Sequence, residues 1–382
     1  FGIDVPRGQV ASTPKEVRDI VDRLGGKCVI KSQILKGGRG KGSFDNGLNG
    51  GIQAVDTSSA AEKLASKMLG HRLKTKQTSG NGITVDKVYV AEAIQHTEEW
   101  YLSLTLDREN YTPVILISRN GGTNVENTAK SEPGSVKSFP FSLAKGITPD
   151  IVARIAESVS ASPGEADKLG DVLTRLYKLF VSKDATMLEI NPLAQMADGS
   201  FKSLDAKFTF DDASEKRQPE LFALRDTKAE VGVELEAQKY GLIYIKLNGS
   251  IGNVVNGAGL AMATNDAIAH HGGASANFLD AGGQATKETM KKAIEIILRD
   301  KSVKVILVNI YGGIIKCDMI AESIISAAQD LGPLNLPVVV RLQGTNSAEG
   351  LNLLEKADLG FHVESGFGEA AKKAVELAKL AK

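Results

Sequence analysis

The feature that most constrains the fold is an alternation of short apolar runs and helical patterns between residues 240 and 382. The apolar runs lie near 242–248, 252–255, 276–280, 303–310, 337–342 and 361–365. Their lengths suit strands, and segments with the apolar spacing of a helix separate most of them. Short strands that alternate with helices predict parallel βαβ units in a doubly wound sheet. We therefore predict a three-layer α/β domain here.

The first half of the chain has a different pattern. Helix starts are indicated by two capping boxes, one at Thr13 and one at Ser162, each followed three residues later by Glu. Residues 209–240 are charged and irregular, which favours a domain boundary or a long connection. We predict an α+β domain before this segment. Apolar residues alternate with polar ones in one predicted antiparallel strand: Trp100, Leu102, Leu104 and Leu106.

Composition excludes several classes of protein. The 46 basic and 46 acidic residues balance, so charge gives no reason to expect nucleic acid or an anionic membrane as a partner. Two cysteines cannot form a zinc–cysteine cluster, and nothing in the sequence points to a disulfide scaffold. No apolar run approaches the ~20 residues of a membrane span. Because the chain begins at Phe1 rather than Met, we expect a processed or trimmed form.

A glycine-rich segment, residues 37–42, follows the predicted strand that contains Lys31. Its backbone N–H groups, with Arg39 and Lys41, suit contact with phosphate. The segment lacks the Ser or Thr of a Walker A motif, because Gly42 takes that position, and Ser43 replaces the last glycine of a dinucleotide fingerprint. A flexible surface loop with solvated basic residues is the alternative.

Two further segments join strands to helices in the second half, at 255–259 and 311–315. Ligands bind at such strand ends in parallel sheets, and a helix N-terminus favours a carboxylate or phosphate. Asn256 lies in the first segment, and Gly313, Ile314 and Ile315 lie in the second. The alternative for each segment is an ordinary tight turn.

A predicted hairpin contains Leu-Glu-Ile-Asn-Pro on one arm and Ser-Leu-Asp-Ala-Lys on the other. A two-residue loop would place Asn191 and Asp205 on opposite faces of the ribbon. A three-residue loop with Gly199 left-handed would pair Asn191 with Asp205 and Glu189 with Lys207. Paired oxygen ligands suit Mg²⁺, whereas polar outer residues of an ordinary hairpin are the alternative.

Together, these segments closely resemble the β subunits of succinate–CoA ligases. The resemblance runs along essentially the whole chain and rests on the order and spacing of its motifs. It implies an ATP-grasp domain over 1–235 and a flavodoxin-like CoA-ligase domain over 236–382. The matching stretches are KSQILKGGRGKG, AEA with a later EEWYL, LEINPL, SLDAK, NGAGLAMAT, ANFLDAGG, VKVILVNIYGGIIKCD and PVVVRLQGTN.

The resemblance also implies roles for individual residues. Glu189 resembles the residue that holds the phosphorylated histidine of the partner α subunit. Gln284 departs from the family, because it replaces the last of three glycines. The expected nucleotide contacts are Lys31, Gly38, Arg39, Gly40, Glu92, Gln95, Glu99 and Pro6; the expected Mg²⁺ ligands are Asn191 and Asp205; and the expected substrate or phosphate positions are Asn256, Gly313, Ile314 and Ile315.

The implied activity is the reversible conversion of succinate, CoA and ATP to succinyl-CoA, ADP and phosphate. None of the five histidines has a glycine-rich phosphohistidine setting, so the phosphate carrier must come from another chain. The resemblance implies that this is an α subunit, in an αβ or α2β2 assembly, which also brings most of the CoA site. A malate–CoA ligase, a GTP-specific ligase, a stand-alone ATP-grasp amide ligase and a nucleotide-sensing subunit are the alternatives.

Two finer expectations concern the nucleotide and the compartment. Family members that read guanine resemble one another in having Gln at the position of Pro6, and a Gln amide can donate to O6 of guanine whereas Pro cannot. Pro6 therefore predicts a preference for ATP and ADP. The start at Phe1 and divergence from bacterial relatives favour a mitochondrial matrix protein, with the bacterial cytoplasm as the alternative.

Overall fold

The structure is a computed structural model that describes residues 1–78, 80, 82–122, 125–227, 230–282, 286–330 and 334–381. It divides into two compact units, Phe1–Arg225 and Asp226–Lys382. The predicted domain ranges, 1–235 and 236–382, stay a prediction. Among the described residues, none of the helices combines the length and the apolar character that a membrane span requires.

The first unit mixes antiparallel strands with helices. Its strands are β1 Gly8–Ala11, β2 Cys28–Ser32, β3 Ser43–Phe44, β4 Ile52–Val55, β5 Arg72–Lys74, β6 Ile83–Thr84, β7 Val88–Glu92, β8 Glu98–Asp107, β9 Thr112–Ser118, β10 Lys137–Pro140, β11 Ala185–Gln195, β12 Phe201–Ser203 and β13 Ala206–Phe210. Its helices are α1 Pro14–Leu24, α2 Ser58–Met68, α3 Val125–Ser131, α4 Pro149–Ser158, α5 Pro163–Ser182 and α6 Pro219–Phe222.

Two antiparallel sheets provide most of this unit's framework. The first has the order β1-β7-β2-β4, and residues of α1 and α2, among them Val17 and Met68, share its core with Ile30 of β2. The second has the order β10-β9-β8-β11-β12, with β13 also paired to β11. The apolar face of α5, with Leu169, Leu173 and Leu176, is buried against this second sheet, which places the hairpin on a rigid support.

The second unit is a three-layer α/β structure, as predicted. Its elements are α7 Gly232–Lys239, β14 Ile243–Lys246, β15 Ile251–Val255, α8 Ala258–His270, β16 Asn277–Asp280, α9 Lys287–Leu298, β17 Val305–Gly312, α10 Cys317–Asp330, β18 Val338–Gly344, α11 Ser347–Ala357, β19 His362–Val363 and α12 Phe367–Leu380.

The sheet of the second unit has the order β14-β16-β15-β17-β18-β19, and only β14 runs antiparallel to its neighbour. Without β14 this is the 2-1-3-4-5 order of flavodoxin-like folds. Helices α8 and α12 cover one face, and α9, α10 and α11 cover the other. The strand order reverses between β15 and β17, so their carboxyl ends form the crevice in which such folds bind ligands.

Some elements were not predicted from the sequence. The irregular segment 209–240 contains helices α6 and α7. Helix α4 was also missed, although Thr148 caps it and Pro149 opens it. Both capping boxes are confirmed, because Thr13 and Ser162 accept from the N–H of the Glu three residues on, and each Glu side chain accepts from its cap residue's N–H.

Candidate active site

The hairpin formed by β11, β12 and β13 has the three-residue loop. Met196 donates its backbone N–H to Ser200 at 2.8 Å, and Gly199 has a φ of +75°, a left-handed conformation that glycine adopts without a steric penalty. Glu189 pairs with Lys207 across β11 and β13. The backbone N–H of Asn191 donates to the carbonyl of Asp205 at 3.0 Å, so these two residues occupy facing positions.

The basic glycine segment reaches this hairpin. Arg39 forms an ion pair with Asp205 and donates a second hydrogen bond to the carbonyl of Ser32 at 2.9 Å. Lys31 is buried and donates to the carbonyl of Leu204. Lys31 of β2 and Arg39 of the glycine segment therefore meet the hairpin beside Asp205, which is an arrangement suited to binding a polyphosphate and a cation together.

The electrostatics of Lys31 follow from this packing. Its burial lowers the pKa of the ammonium, because the charged form loses water, while Asp205 raises the pKa and Arg39 lowers it. A buried ammonium beside one carboxylate and a second cation is poorly compensated. The site therefore favours a further negative group, such as a phosphate, near Lys31.

Asn191 is held by a tight turn after β9. Its Oδ1 accepts from the N–H of Gly122 at 2.6 Å, and its Nδ2 donates to the carbonyl of Gly122 at 3.2 Å. The amide is fixed in orientation by these two bonds. A carboxylate and an amide oxygen at facing positions fit the hard-oxygen preference of Mg²⁺. The described residues contain no group of three or more His, Cys, Asp or Glu that would hold a metal, so waters and phosphates would supply the remaining ligands.

Two acids expected to contact the nucleotide, Glu92 and Glu99, lie at the end of β7 and near the start of β8. Both oxygens of Glu92 accept from Arg7, one from its backbone N–H at 3.0 Å and the other from its Nε at 2.7 Å. These bonds, the backbone one first, lower the pKa of Glu92. Oε1 of Glu99 lies 3.1 Å from Nε2 of His96. Gln95 lies between the two strands with an exposed side chain, and Pro6, next to Arg7, is buried.

Glu189 lies on β11, half-buried between two neighbouring strands. The hydroxyl of Tyr101 donates to its Oε2 at 3.2 Å, and the register places Lys207 on one side of it and Ser103 on the other. A carboxylate on a central strand with a tyrosine contact is well fixed. It is therefore chemically able to accept a hydrogen bond from an imidazolium or imidazole N–H that approaches the sheet.

In the second unit, the side chain of Asn256, which follows β15, is hydrogen-bonded to the backbone of Tyr311 in β17. Its Oδ1 accepts from the N–H of Tyr311 and its Nδ2 donates to the carbonyl of the same residue, both at 2.8 Å. The turn that follows leads into α10. There Gly313 and Ile314 are exposed, whereas the side chain of Ile315 is buried. Gln284 lies outside the described residues.

Sequence reasoning missed the residues that hold these groups. Arg7, the carbonyls of Ser32 and Leu204, and the backbone of Gly122 each bind a predicted site residue. Backbone partners leave no signal in the side-chain pattern. The Gly121-Gly122 pair after an apolar strand indicates a turn, but nothing in the sequence shows which residue the turn contacts.

The fold and this site define a ligase with an ATP-grasp domain and a CoA-ligase domain. The family model described as ATP-grasp domain matches residues 1–195, and the CoA-ligase model matches residues 254–381. In overall fold the chain is similar to ATP citrate lyase from Methanothrix soehngenii, with a TM-score of 0.70 at 18% identity over 98% of this chain and 92% of that one.

Curated relatives identify the family more closely. The chain is 43% identical to the hydrogenosomal β subunit of ADP-forming succinate–CoA ligase of Neocallimastix frontalis, over 100% of this chain and 87% of that one. It is 42% identical to the mitochondrial ADP-forming subunit of Saccharomyces cerevisiae, over 99% and 90%. It is also 42% identical to a GDP-forming mitochondrial subunit of Dictyostelium discoideum, over 99% and 90%. The chain belongs to the family of succinate–CoA ligase β subunits.

Proposed function

We propose that this chain, with an α subunit, converts succinate, CoA and ATP reversibly to succinyl-CoA, ADP and phosphate. The observation that supports this most directly is that Lys31 and Arg39 meet the hairpin of the first unit beside Asp205, which faces Asn191. That arrangement offers cations for phosphate and oxygens for Mg²⁺, and a nucleotide with its metal needs both.

The chain's own residues have distinct tasks in this reaction. Asn191 and Asp205 would hold Mg²⁺, which neutralises charge on the phosphates when bound. Lys31 and Arg39, with the backbone around Gly38 and Gly40, bind and orient the polyphosphate. Pairing of both Glu92 oxygens with Arg7 keeps that carboxylate oriented beside Pro6, where the base and ribose are proposed to lie.

The terminal phosphoryl group passes to a histidine of the α subunit, and Glu189 orients that imidazole. The phosphohistidine then gives its phosphoryl group to a succinate carboxylate. The CoA sulfur attacks the resulting acyl phosphate, the C–O bond to phosphate breaks, and succinyl-CoA and phosphate leave. Asn256 holds the turn that presents Gly313 and Ile314 at the N-terminal end of α10, where an anion is favoured.

Three finer points belong to the same proposal. Pro6 supports ATP over GTP, because it offers neither a side-chain donor nor a backbone N–H to O6 of guanine. The mitochondrial and hydrogenosomal names of the relatives support a mitochondrial matrix location. Succinate, rather than malate, is supported by those same names, and the assembly is αβ or α2β2.

The test is co-expression with a cognate α subunit, followed by assays with succinate and malate and with ATP and GTP. We expect CoA thioester formation with succinate and ATP, and a lower specificity constant with malate or GTP. The chain without its partner should bind nucleotide and form no thioester, because the phosphate carrier is missing. Thioester formation by the pure chain, or a preference for malate, would contradict the proposal.

A further inference from the structure

The side chain of Arg119, at the end of β9, is held on several sides. Its guanidinium lies over the indole ring of Trp100, 4.8 Å from the centroid. Its Nε donates to Glu98 at 2.9 Å, and its Nη1 donates to the carbonyls of Val159 and Ser160, each at 3.2 Å. An arginine that binds a carboxylate, two carbonyls and an aromatic face has little freedom to move.

A second acidic residue and a tryptophan bond complete this arrangement. Nη2 of Arg119 lies 2.8 Å from Glu98 and 3.5 Å from Glu165 in the first turn of α5. The indole N–H of Trp100 donates to Glu98 at 2.8 Å, and Trp100 itself is fully buried. The guanidinium therefore joins β8, β9 and the start of α5 at one point.

The next three residues form the 120–122 turn, which contacts two of the proposed site residues. Gly121 donates its N–H to the carbonyl of Glu99 at 2.7 Å. Gly122 binds the side-chain amide of Asn191 in both directions, at 2.6 and 3.2 Å. One short turn thus contacts both the residue proposed to bind Mg²⁺ and a residue proposed to contact the nucleotide.

The packing of this turn leaves almost no room for adjustment. A Cβ at Gly121 would lie 2.5 Å from the backbone carbonyl of Trp100. A Cβ at Gly122, whose φ is +80°, would lie 2.7 Å from a carboxylate oxygen of Glu99. A shift of the turn by a few tenths of an ångström therefore moves the amide of Asn191 with it.

We infer that Arg119 is a positioning residue for the metal site, acting through the 120–122 turn on Asn191. The inference rests on the proposed role of Asn191 as a Mg²⁺ ligand. In this role Arg119 would act through the turn and not by contact with metal or substrate. It fixes the end of β9, so that the Gly122 backbone keeps the Asn191 oxygen directed for coordination. Residues that orient metal ligands typically contribute 10–100-fold to metal affinity.

The test uses the complex with the α subunit and two variants, Arg119→Met and Arg119→Lys. The measurement is the Mg²⁺ concentration that half-saturates ADP binding, obtained by calorimetry at a series of Mg²⁺ concentrations. We expect this Mg²⁺ concentration to rise roughly tenfold in Arg119→Met. It should rise by less in Arg119→Lys, because lysine keeps the positive charge but lacks the planar guanidinium with its several N–H donors. ADP binding without Mg²⁺ should change less than twofold.

Arg175→Met is the matched control. Arg175 lies on α5, with a side-chain exposure of 38% against 31% for Arg119, and donates to Asp171 at 2.8 Å and to the Gly2 carbonyl at 2.6 Å. It contacts neither Asn191 nor Glu99. Its replacement should lower the melting temperature without changing the Mg²⁺ requirement.

The outcomes separate the inference from the proposed function. If Arg119→Met lowers the melting temperature as the control does and leaves the Mg²⁺ requirement unchanged, Arg119 is structural only and the inference fails. If ADP binding by the unaltered complex does not depend on Mg²⁺, the proposed metal site fails instead. Equal loss of ADP binding with and without Mg²⁺ would also overturn the inference, because the turn would then act on the nucleotide alone.

Discussion

Replacing Arg39 with Gln should tighten the binding of Mg²⁺ to the nucleotide-free protein. Asp205, a proposed metal ligand, is paired with the Arg39 guanidinium in the structure. A metal ion and a guanidinium compete for the same carboxylate, so metal binding must break this ion pair. The Gln side chain removes the competing charge and leaves Asp205 available.

The size of the effect follows from the pair's surroundings. A hydrogen bond to a charged group contributes about 1.5–3 kcal/mol. The side-chain exposures are 14% for Arg39 and 30% for Asp205. Because water can partly replace the hydrogen bonds of this pair, we take the lower end of that energy range. About 1.5 kcal/mol corresponds to roughly tenfold in the dissociation constant for Mg²⁺. Binding of the Mg²⁺–ADP complex should weaken, because Arg39 no longer contacts phosphate.

The assay is calorimetric titration of Mg²⁺, and of Mn²⁺ as a second probe, into the αβ complex without nucleotide. Lys36→Gln is the charge control, because Lys36 is an exposed lysine in the segment just before Gly37. Asp205→Asn should abolish the gain when combined with Arg39→Gln. Unchanged or weaker metal binding by a folded Arg39→Gln complex would refute the competition between Arg39 and the metal.

Three other results are expected. Hydrogen bonds from Gln195 and from the Ser162 backbone lower the pKa of Glu165 to about 2. The stability that the ionised carboxylate contributes is therefore present above its ordinary pKa of 4.5 and is lost as the pH falls toward 2. The difference in the free energy of unfolding in urea between the native chain and Glu165→Gln should shrink over that range. Pro6→Gln should raise the ratio of the specificity constant for GTP to that for ATP roughly ten- to a hundredfold in steady-state kinetics. This corresponds to about 1–3 kcal/mol for one hydrogen bond to the base. Asn256→Ala removes two hydrogen bonds to Tyr311 and should destabilise the second unit by about 1–2 kcal/mol, with faster hydrogen exchange at residues 311–315.

The α/β half of the chain could be predicted closely because local sequence determines its elements. Its buried strands are short and rich in apolar residues, and the βαβ connection leaves little choice of topology. The direction of β14 could not be predicted in this way, because an edge strand pairs in either direction. Short strands such as β3, with two residues, contain too few positions for an apolar period to appear.

The hairpin shows how far sequence can define a site. Its residues and its two possible loops were identified from the pattern, and the register then had only two values. The choice of the three-residue loop depends on Gly199 taking a positive φ, which tertiary packing decides as much as the local sequence does. The ion pair between Arg39 and Asp205 joins residues 166 positions apart, and no local pattern predicts such a contact.

The groups proposed to bind the nucleotide and its metal already have internal partners. Arg39 binds Asp205, Arg7 binds Glu92, and Gly122 binds Asn191. Each pairing satisfies a polar group that would otherwise be destabilising when partly buried, so these side chains are held in place by the protein itself. The same pairing favours ligands that carry both charges. Phosphates would bind Arg39 in place of Asp205, and Asp205 would then be available to a metal ion. Because coupling between two ligands is reciprocal, Mg²⁺ must strengthen phosphate binding by the same factor by which phosphate strengthens Mg²⁺ binding. A site built in this way selects the metal–nucleotide complex over either component alone.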